Sequence, residues 1–137
     1  MTNEFRLDRR LAADTWAVAE WPLSSVRLMD HHDYPWFLLV PRRAGIRELH
    51  ELAGEDAIQL GRESAALARA MDRAFAPEVL NVAKLGNIVG QLHLHHVARF
   101  DGDPAWPGPV WGASTSRGLE TQEAEDRIAR VLGLVDD

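Results

Sequence analysis

The chain predicts an α+β protein built on an antiparallel sheet, and two features of the sequence carry that prediction. One is a single long stretch of helical periodicity over residues 54–75, where Leu60, Leu67, Met71 and Ala74 recur on one side around Ser64. The other is a set of short apolar runs of strand length on both sides of it, at residues 16–20, 26–29 and 36–40 before the helix and at 79–83 and 91–99 after it. Strands, then a helix, then two strands read as α+β rather than as alternating units.

In order along the chain, residues 5–13 predict a short amphipathic helix, with Phe5, Leu7, Leu11 and Ala12 as its apolar side and Asp8 near its start. Residues 16–20 read as a strand, which residues 21–25 interrupt with Pro22, Ser24 and Ser25. Residues 26–29 form the next strand, and 31–35 a turn. Residues 36–40 are a continuous apolar run suited to a central buried strand, and Pro41 stops it because it has no N–H to offer a ladder. Residues 46–52 predict a short helix. The long helix follows, with Glu55 and Asp56 in its first turn, where the dipole favours them, and Pro77 just past its end. Residues 79–83 are a strand, and 84–90 a polar connection with two glycines. Residues 101–112 hold two tryptophans among three prolines, the pattern of an extended arm that docks. Thr121 is expected to cap a final helix through Leu132, with Ile128, Val131 and Leu132 as its apolar side.

The length of 137 residues fits one domain over residues 1–137, and 46% hydrophobic residues supply a core. The net charge of -6 argues against non-specific nucleic-acid binding, while leaving small anionic substrates open, because a site has its own local field. The absence of cysteine removes disulfide and thiol chemistry and suits a cytoplasmic protein. The first residues lack the apolar core of a signal peptide, and no apolar run approaches a membrane span, so no membrane partner is expected.

The chemistry concentrates in residues 91–99, Gln-Leu-His-Leu-His-His-Val-Ala-Arg, which hold three of the six histidines. As a strand, this stretch puts Gln91, His93 and His95 on one face, roughly 7 Å apart between i and i+2 neighbours, and Leu92, Leu94 and His96 on the other. Imidazole serves near neutral pH as nucleophile, general acid or base, and metal ligand. On the residues alone, ordinary strand histidines and a two-histidine metal site both remain open, with no cysteine and no further ligands nearby in sequence.

Residues 86–99, Gly-Asn-Ile-Val-Gly-Gln-Leu-His-Leu-His-His-Val-Ala-Arg, resemble the signature of the histidine triad (HIT) superfamily of nucleotide hydrolases and transferases, His-φ-His-φ-His-φ-φ with φ apolar. Gln91 occupies the first histidine position, His93 the middle and His95 the last. His96 falls where an apolar residue is expected, and Gly86 and Asn87 where the family has Gly-Gln. Residues 30–43, Asp-His-His-Asp-Tyr-Pro-Trp-Phe-Leu-Leu-Val-Pro-Arg-Arg, are similar to the family's nucleoside-binding hairpin. The resemblance covers roughly residues 16–100.

It implies a five-stranded antiparallel sheet carrying one long helix, with a C-terminal arm and helix, in a homodimer. It implies a nucleotide substrate, no required cofactor and no metal, and attack by His93 on the α-phosphorus to give a nucleotidyl-histidine. The leaving group is that of a dinucleoside polyphosphate or a nucleoside phosphoramidate. His95 would serve a phosphate oxygen or the leaving group. Gln91, whose charge is fixed, would orient rather than act as an acid. Asn81 and Asn87 would donate to phosphates, and Asp30 would bond a ribose hydroxyl. Ile88 stands where the family often has Ser or Thr. Arg42 and Arg43 read as surface charges at a strand end. His31, His32 and His50 read as surface residues, the first two with a possible place in the site. Two other functions stay open: a nucleotide-binding protein of this fold with little or no catalysis, and a metal-binding module using His93, His95 and one of His31 or His32.

Overall fold

The computed structural model describes residues 4–113 and 117–135. Residues 1–3 of the expected hydrophilic start lie outside the described residues. The elements are α1 (Arg9–Asp14), β1 (Thr15–Glu20), β2 (Ser24–Met29), β3 (Trp36–Pro41), α2 (Gly54–Phe75), β4 (Val79–Lys84), β5 (Leu94–Arg99) and α3 (Thr121–Leu132). The strands form one sheet in the order β1-β2-β3-β5-β4, with every neighbouring pair antiparallel. This is the expected α+β architecture, with three helices.

The sheet divides the core in two. On its back face Val26, Leu28, Phe37, Leu39 and Ala98 pack against Leu60, Leu67 and Met71 of α2 and Val131 of α3. On its front face Trp36, Leu38, Val40 and Val97 pack with Leu11 of α1 and Val110 of the C-terminal arm. Strand β3 is therefore buried on both sides along its whole length, which is why its sequence is continuously apolar. Burying one such side chain contributes about 1.5–3 kcal/mol, so β3 is the main anchor of both layers.

Five local expectations are corrected. Helix α3 is capped by Glu120, boxed with Glu123, and Thr121 is its first residue rather than its cap. The first helix begins at Arg9, where the Asp8 carboxylate accepts from the Arg10 N–H at 2.8 Å. Phe5 and Leu7 instead pack without helix against the front cluster. Ser24 and Ser25 belong to β2, because their pairing with Pro41 and Val40 outweighs their turn preference. In residues 46–52 only Leu49–Glu51 winds, as a 3-10 turn boxed by Glu48 and Glu51. The histidine strand starts at Leu94, the first residue that finds partners on both β3 and β4. Upstream, the Leu92 N–H turns to the carbonyl of Ile46, so residues 91–93 approach the sheet without joining it.

Buried Arg99 docks the arm on the front. Its guanidinium forks onto Asp103 at 2.8 and 3.0 Å and donates to the Gly108 carbonyl at 2.7 Å and to Asn81 Oδ1 at 2.8 Å. Arg99 in turn holds the Asp103 carboxyl below the usual carboxylate range. The arm thereby carries Val110 and Trp111 over the front of β3 and β5. Helix α3 fixes the turn before β3, because Arg127 donates to the carbonyls of His31, His32 and Tyr34 at 3.1, 2.6 and 3.0 Å.

Candidate functional site

An open cleft of about 400 Å³ lies on the front face, with His93 and His95 in its wall. One end is largely apolar and aromatic: Leu11 from α1, Met29 from β2, Trp36 from β3, and Val110 and Trp111 from the arm. His31 lines it too, with its ring 5.6 Å from that of Trp36. The other wall is the β4–β5 loop, through Gly86, Asn87, Ile88 and Val89, and Arg10 and Asp14 of α1 complete the rim. Side chains from every layer of the front face thus converge on two imidazoles held by β5 and the turn before it.

The tautomers of those imidazoles follow from their partners. His93 Nδ1 lies 2.7 Å from the carbonyl of Gln91, which accepts only, so Nδ1 carries the proton. In the neutral ring Nε2 then keeps its lone pair. His95 is the reverse case. Trp36 Nε1–H donates to His95 Nδ1 at 3.0 Å, and an indole only donates, so the His95 proton sits on Nε2. The two rings lie edge to face, with centroids 4.8 Å apart. Burial, then the neighbouring His93 and His96, push the His95 pKa down to about 3. His95 therefore acts near pH 7 as a neutral N–H donor, not as a cation. A nitrogen lone pair and a fixed N–H, side by side above a cleft, suit attack on an electrophile and stabilisation of an oxygen attached to it.

The other sequence-predicted site residues divide. Asn87 lines the cleft with the two histidines. Gln91 holds His93 through its main-chain carbonyl, whereas its side chain faces the N-terminal segment. There the amide oxygen accepts from the Asp8 N–H at 2.9 Å, and the amide nitrogen donates to the Arg6 carbonyl at 2.8 Å. Asn81 stands away from the cleft, with its oxygen bound by Arg99. Asp30 accepts through Oδ1 alone, from Trp16 Nε1 at 3.0 Å and from the Leu119 N–H at 2.7 Å. Gly118 is packed so tightly on that carboxylate that a Cβ there would stand 2.6 Å from it. Arg42 donates to the Trp21 carbonyl and Arg43 to Asp56, so both brace the ends of β2 and α2. His32 sits between Asp33 and Glu123 at 3.4 and 3.5 Å, and His50 is exposed. His96 is fully buried on the opposite face, where its Nε2 meets Ser64 Oγ at 2.7 Å. Among the described residues no three His, Asp or Glu side chains gather as a metal-binding group.

Sequence reasoning missed Arg10, Met29, Trp36 and Trp111 as cleft residues. Trp36 and Trp111 read as core and as arm, and only the fold shows that both rings border His95, at 5.7 and 5.3 Å.

Residues 10–102 match the family model of the HIT domain. No curated protein matches the chain significantly. Among solved structures, the chain is similar to a histidine triad protein from Marinobacter aquaeolei VT8, with 45% identity, 96% of each chain covered and a TM-score of 0.93. It is also similar to a histidine triad (HIT) protein from Sinorhizobium meliloti 1021, with 40% identity, 95% of this chain and 96% of that one covered, and a TM-score of 0.93. A histidine triad protein from Bradyrhizobium japonicum shows 37% identity over 97% of this chain and 99% of that one, with a TM-score of 0.94. With the family model covering most of the chain and the histidines poised as described, the protein belongs to the histidine triad (HIT) family.

Proposed function

We propose that the protein is a nucleotide hydrolase or nucleotidyl transferase acting at the α-phosphate through a nucleotidyl-histidine intermediate. The observation that carries this reading is the locked tautomer of His93, which in the neutral ring leaves the Nε2 lone pair free in the wall of a cleft with an apolar, aromatic end. The aromatic end suits a nucleoside, and the β4–β5 loop with Asn87 suits its phosphate. His93 Nε2 adds to the α-phosphorus while the bond to the leaving group breaks and carries its electron pair away; the departing atom takes up a proton from water. His95 Nε2–H bonds a phosphoryl oxygen or the departing atom as charge grows there. In the second half water adds to phosphorus, the P–N bond breaks, its electron pair returns to Nε2 and the water's proton goes to solvent. The nucleoside monophosphate leaves.

The reading is tested by incubating the protein with a fluorogenic adenosine phosphoramidate. The expected results are fluorescence release and, on rapid quenching, an adenylyl group on His93 in the peptide mass map. Absence of turnover with any nucleotide, in protein that binds one, would favour a second reading, a nucleotide-binding protein of this fold with little catalysis. That reading draws on Gln91, whose amide is spent on the N-terminal segment, and on Ile88, 77% exposed in the phosphate loop where a hydroxyl is absent.

A homodimer and a cytoplasmic setting go with the proposal. Strand β4 is at the sheet edge and leaves Val79 and Val82 exposed by 44% and 47%, the kind of edge another chain covers. Light scattering at tens of micromolar, giving twice the chain mass, is the expected outcome, and a monomer mass rejects it. The cysteine-free composition suits a reducing compartment. Among the described residues no helix is long and apolar enough to cross a membrane.

A further inference from the structure

The cations around the phosphate loop are not equivalent. Lys84 is neutralised by Glu48, which it meets at 2.5 and 2.7 Å. Arg10 and Arg47 have no carboxylate partner within ion-pair distance among the described residues. Arg10 lines the cleft beside Gly86, Asn87 and His93. The Arg47 guanidinium lies across Gly90 so closely that a Cβ there would stand 3.0–3.1 Å from three of its atoms. Two unpaired guanidinium groups thus border one short loop in a chain of net charge -6. Asp14 of the same helix shares the cleft rim with Arg10, and Arg47 is close enough to the Glu51 carboxylate to help stabilise its charge.

The second observation concerns Gln91. Its amide makes two hydrogen bonds, both to the main chain of the N-terminal segment, at Arg6 and Asp8. Asp8 in turn caps α1 by accepting from the Arg10 N–H. One glutamine, next but one to His93, therefore ties down the segment that brings Arg10 to the cleft. A side chain at this position that could not both donate and accept would release one of the two bonds.

We propose that the N-terminal segment, latched by Gln91, is the part of the site that receives the leaving group, and that Arg10 selects leaving groups that carry phosphate. The proposal rests on the nucleotide reading above and sharpens it toward a polyphosphate rather than an amine on the far side of the scissile bond. The nucleoside has the aromatic end of the cleft, and the α-phosphate has His93, His95 and Asn87. Of the two guanidinium groups, Arg10 lines this cleft, whereas Arg47 lies outside it against Gly90, so Arg10 is the group left for charge beyond the α-position. Gln91 is on this account a positioning residue, acting through the segment it holds.

The experiment is calorimetric binding of two probes, AMP and ATP, to the wild type, Arg10→Ala, Arg10→Lys and Gln91→Ala. The extra phosphates of ATP extend where the leaving group would lie, and those of AMP do not. Expected are tighter binding of ATP than AMP by the wild type and a loss of about tenfold for ATP in Arg10→Ala, the order of one charge-assisted contact, with a loss under about threefold for AMP. Arg10→Lys recovers part of the loss, because it keeps the charge. Gln91→Ala shows the same selective loss, together with faster hydrogen exchange at the Asp8 amide. Equal losses for the two probes, or no loss in Arg10→Ala, overturn the proposal, as does a wild type that binds both alike. A wild type that binds ATP selectively through Arg10 yet turns over no nucleotide supports this inference while sinking the catalytic reading, so the two fail separately.

Discussion

His93 and His96 make the same local hydrogen bond on the same run of chain, and they do opposite things. In each, Nδ1 faces the carbonyl two residues back, Gln91 for His93 at 2.7 Å and Leu94 for His96 at 3.2 Å. Each neutral ring therefore carries its proton on Nδ1 and offers a lone pair at Nε2. The difference is what meets that lone pair. For His93 it is the cleft. For His96, itself fully buried, it is the Ser64 hydroxyl of α2, 2.7 Å away. What distinguishes the two rings is the face of the sheet and the partner of one nitrogen, not the imidazole or its nearest carbonyl. His95 adds the third case: Trp36 occupies its Nδ1 and leaves an N–H outward.

The sharpest way to break the comparison is to remove the open lone pair. His93→Ala should abolish turnover, a fall of more than about a thousandfold in kcat, because deleting a covalent nucleophile deletes the pathway. The thermal midpoint and far-ultraviolet dichroism should stay near those of the wild type, since the ring lies at the cleft wall rather than in the apolar core. A variant keeping several per cent of wild-type turnover would move the nucleophile elsewhere.

A smaller effect should come from unlocking the opposite tautomer. Trp36→Phe keeps an aromatic ring beside Trp111 and His31 but loses the N–H that faces His95 Nδ1. The His95 proton is then free to move to Nδ1, turning its outward N–H into a lone pair. Activity should drop roughly ten- to a hundredfold, the scale seen when the partner that orients a working histidine is lost. Nitrogen NMR of the His95 ring should show the Nε2–H form in the wild type and a mixture in the variant. A wild type already in the Nδ1–H form would overturn the assignment.

Much of this was legible in the sequence, for a physical reason. Periodicity is local, so the long helix, the continuous run of β3 and the order of elements could be read from neighbours alone. The histidine run stands out locally as well, although of the two cleft histidines only His95 sits in β5 and His93 precedes it. What could not be read depends on pairings distant in sequence. Asp30 looked free to bind a sugar, but it is held by Leu119, 89 residues away. Asn81 looked free to bind phosphate, but Arg99 claims it across the β4–β5 pair. Arg10 and Trp111 reach the cleft because a capped short helix and an Arg99-anchored arm fold over the front face, and neither placement has a repeating pattern to announce it. The start of β5 was misplaced because Leu92 has the strand propensity but spends its N–H on Ile46.

The smallest effect, and the one that isolates the buried half of the comparison, concerns pH and stability. Burial pushes the His96 pKa down to about 4, against about 6.5 for an unfolded chain. Above pH 6.5 the ring is neutral in both states and folding releases no proton. As pH falls from 6.5 toward 4, the unfolded state takes up a proton that the native state refuses, so stability is lost across that window and the loss levels off below the folded pKa. One such histidine gives a slope of about 1.4 kcal/mol per pH unit near pH 5. Replacing the pair together, His96→Val with Ser64→Ala, removes both partners at once and leaves no buried polar group unmatched, so stability at pH 7 should change by about 1 kcal/mol or less. The slope between pH 6 and 4.5, measured by urea unfolding, should fall by about one proton, while His95 on the front face continues to supply its own. An unchanged slope would mean that His96 is protonated inside the fold, and that the back-face ring is no more silent than the front-face one.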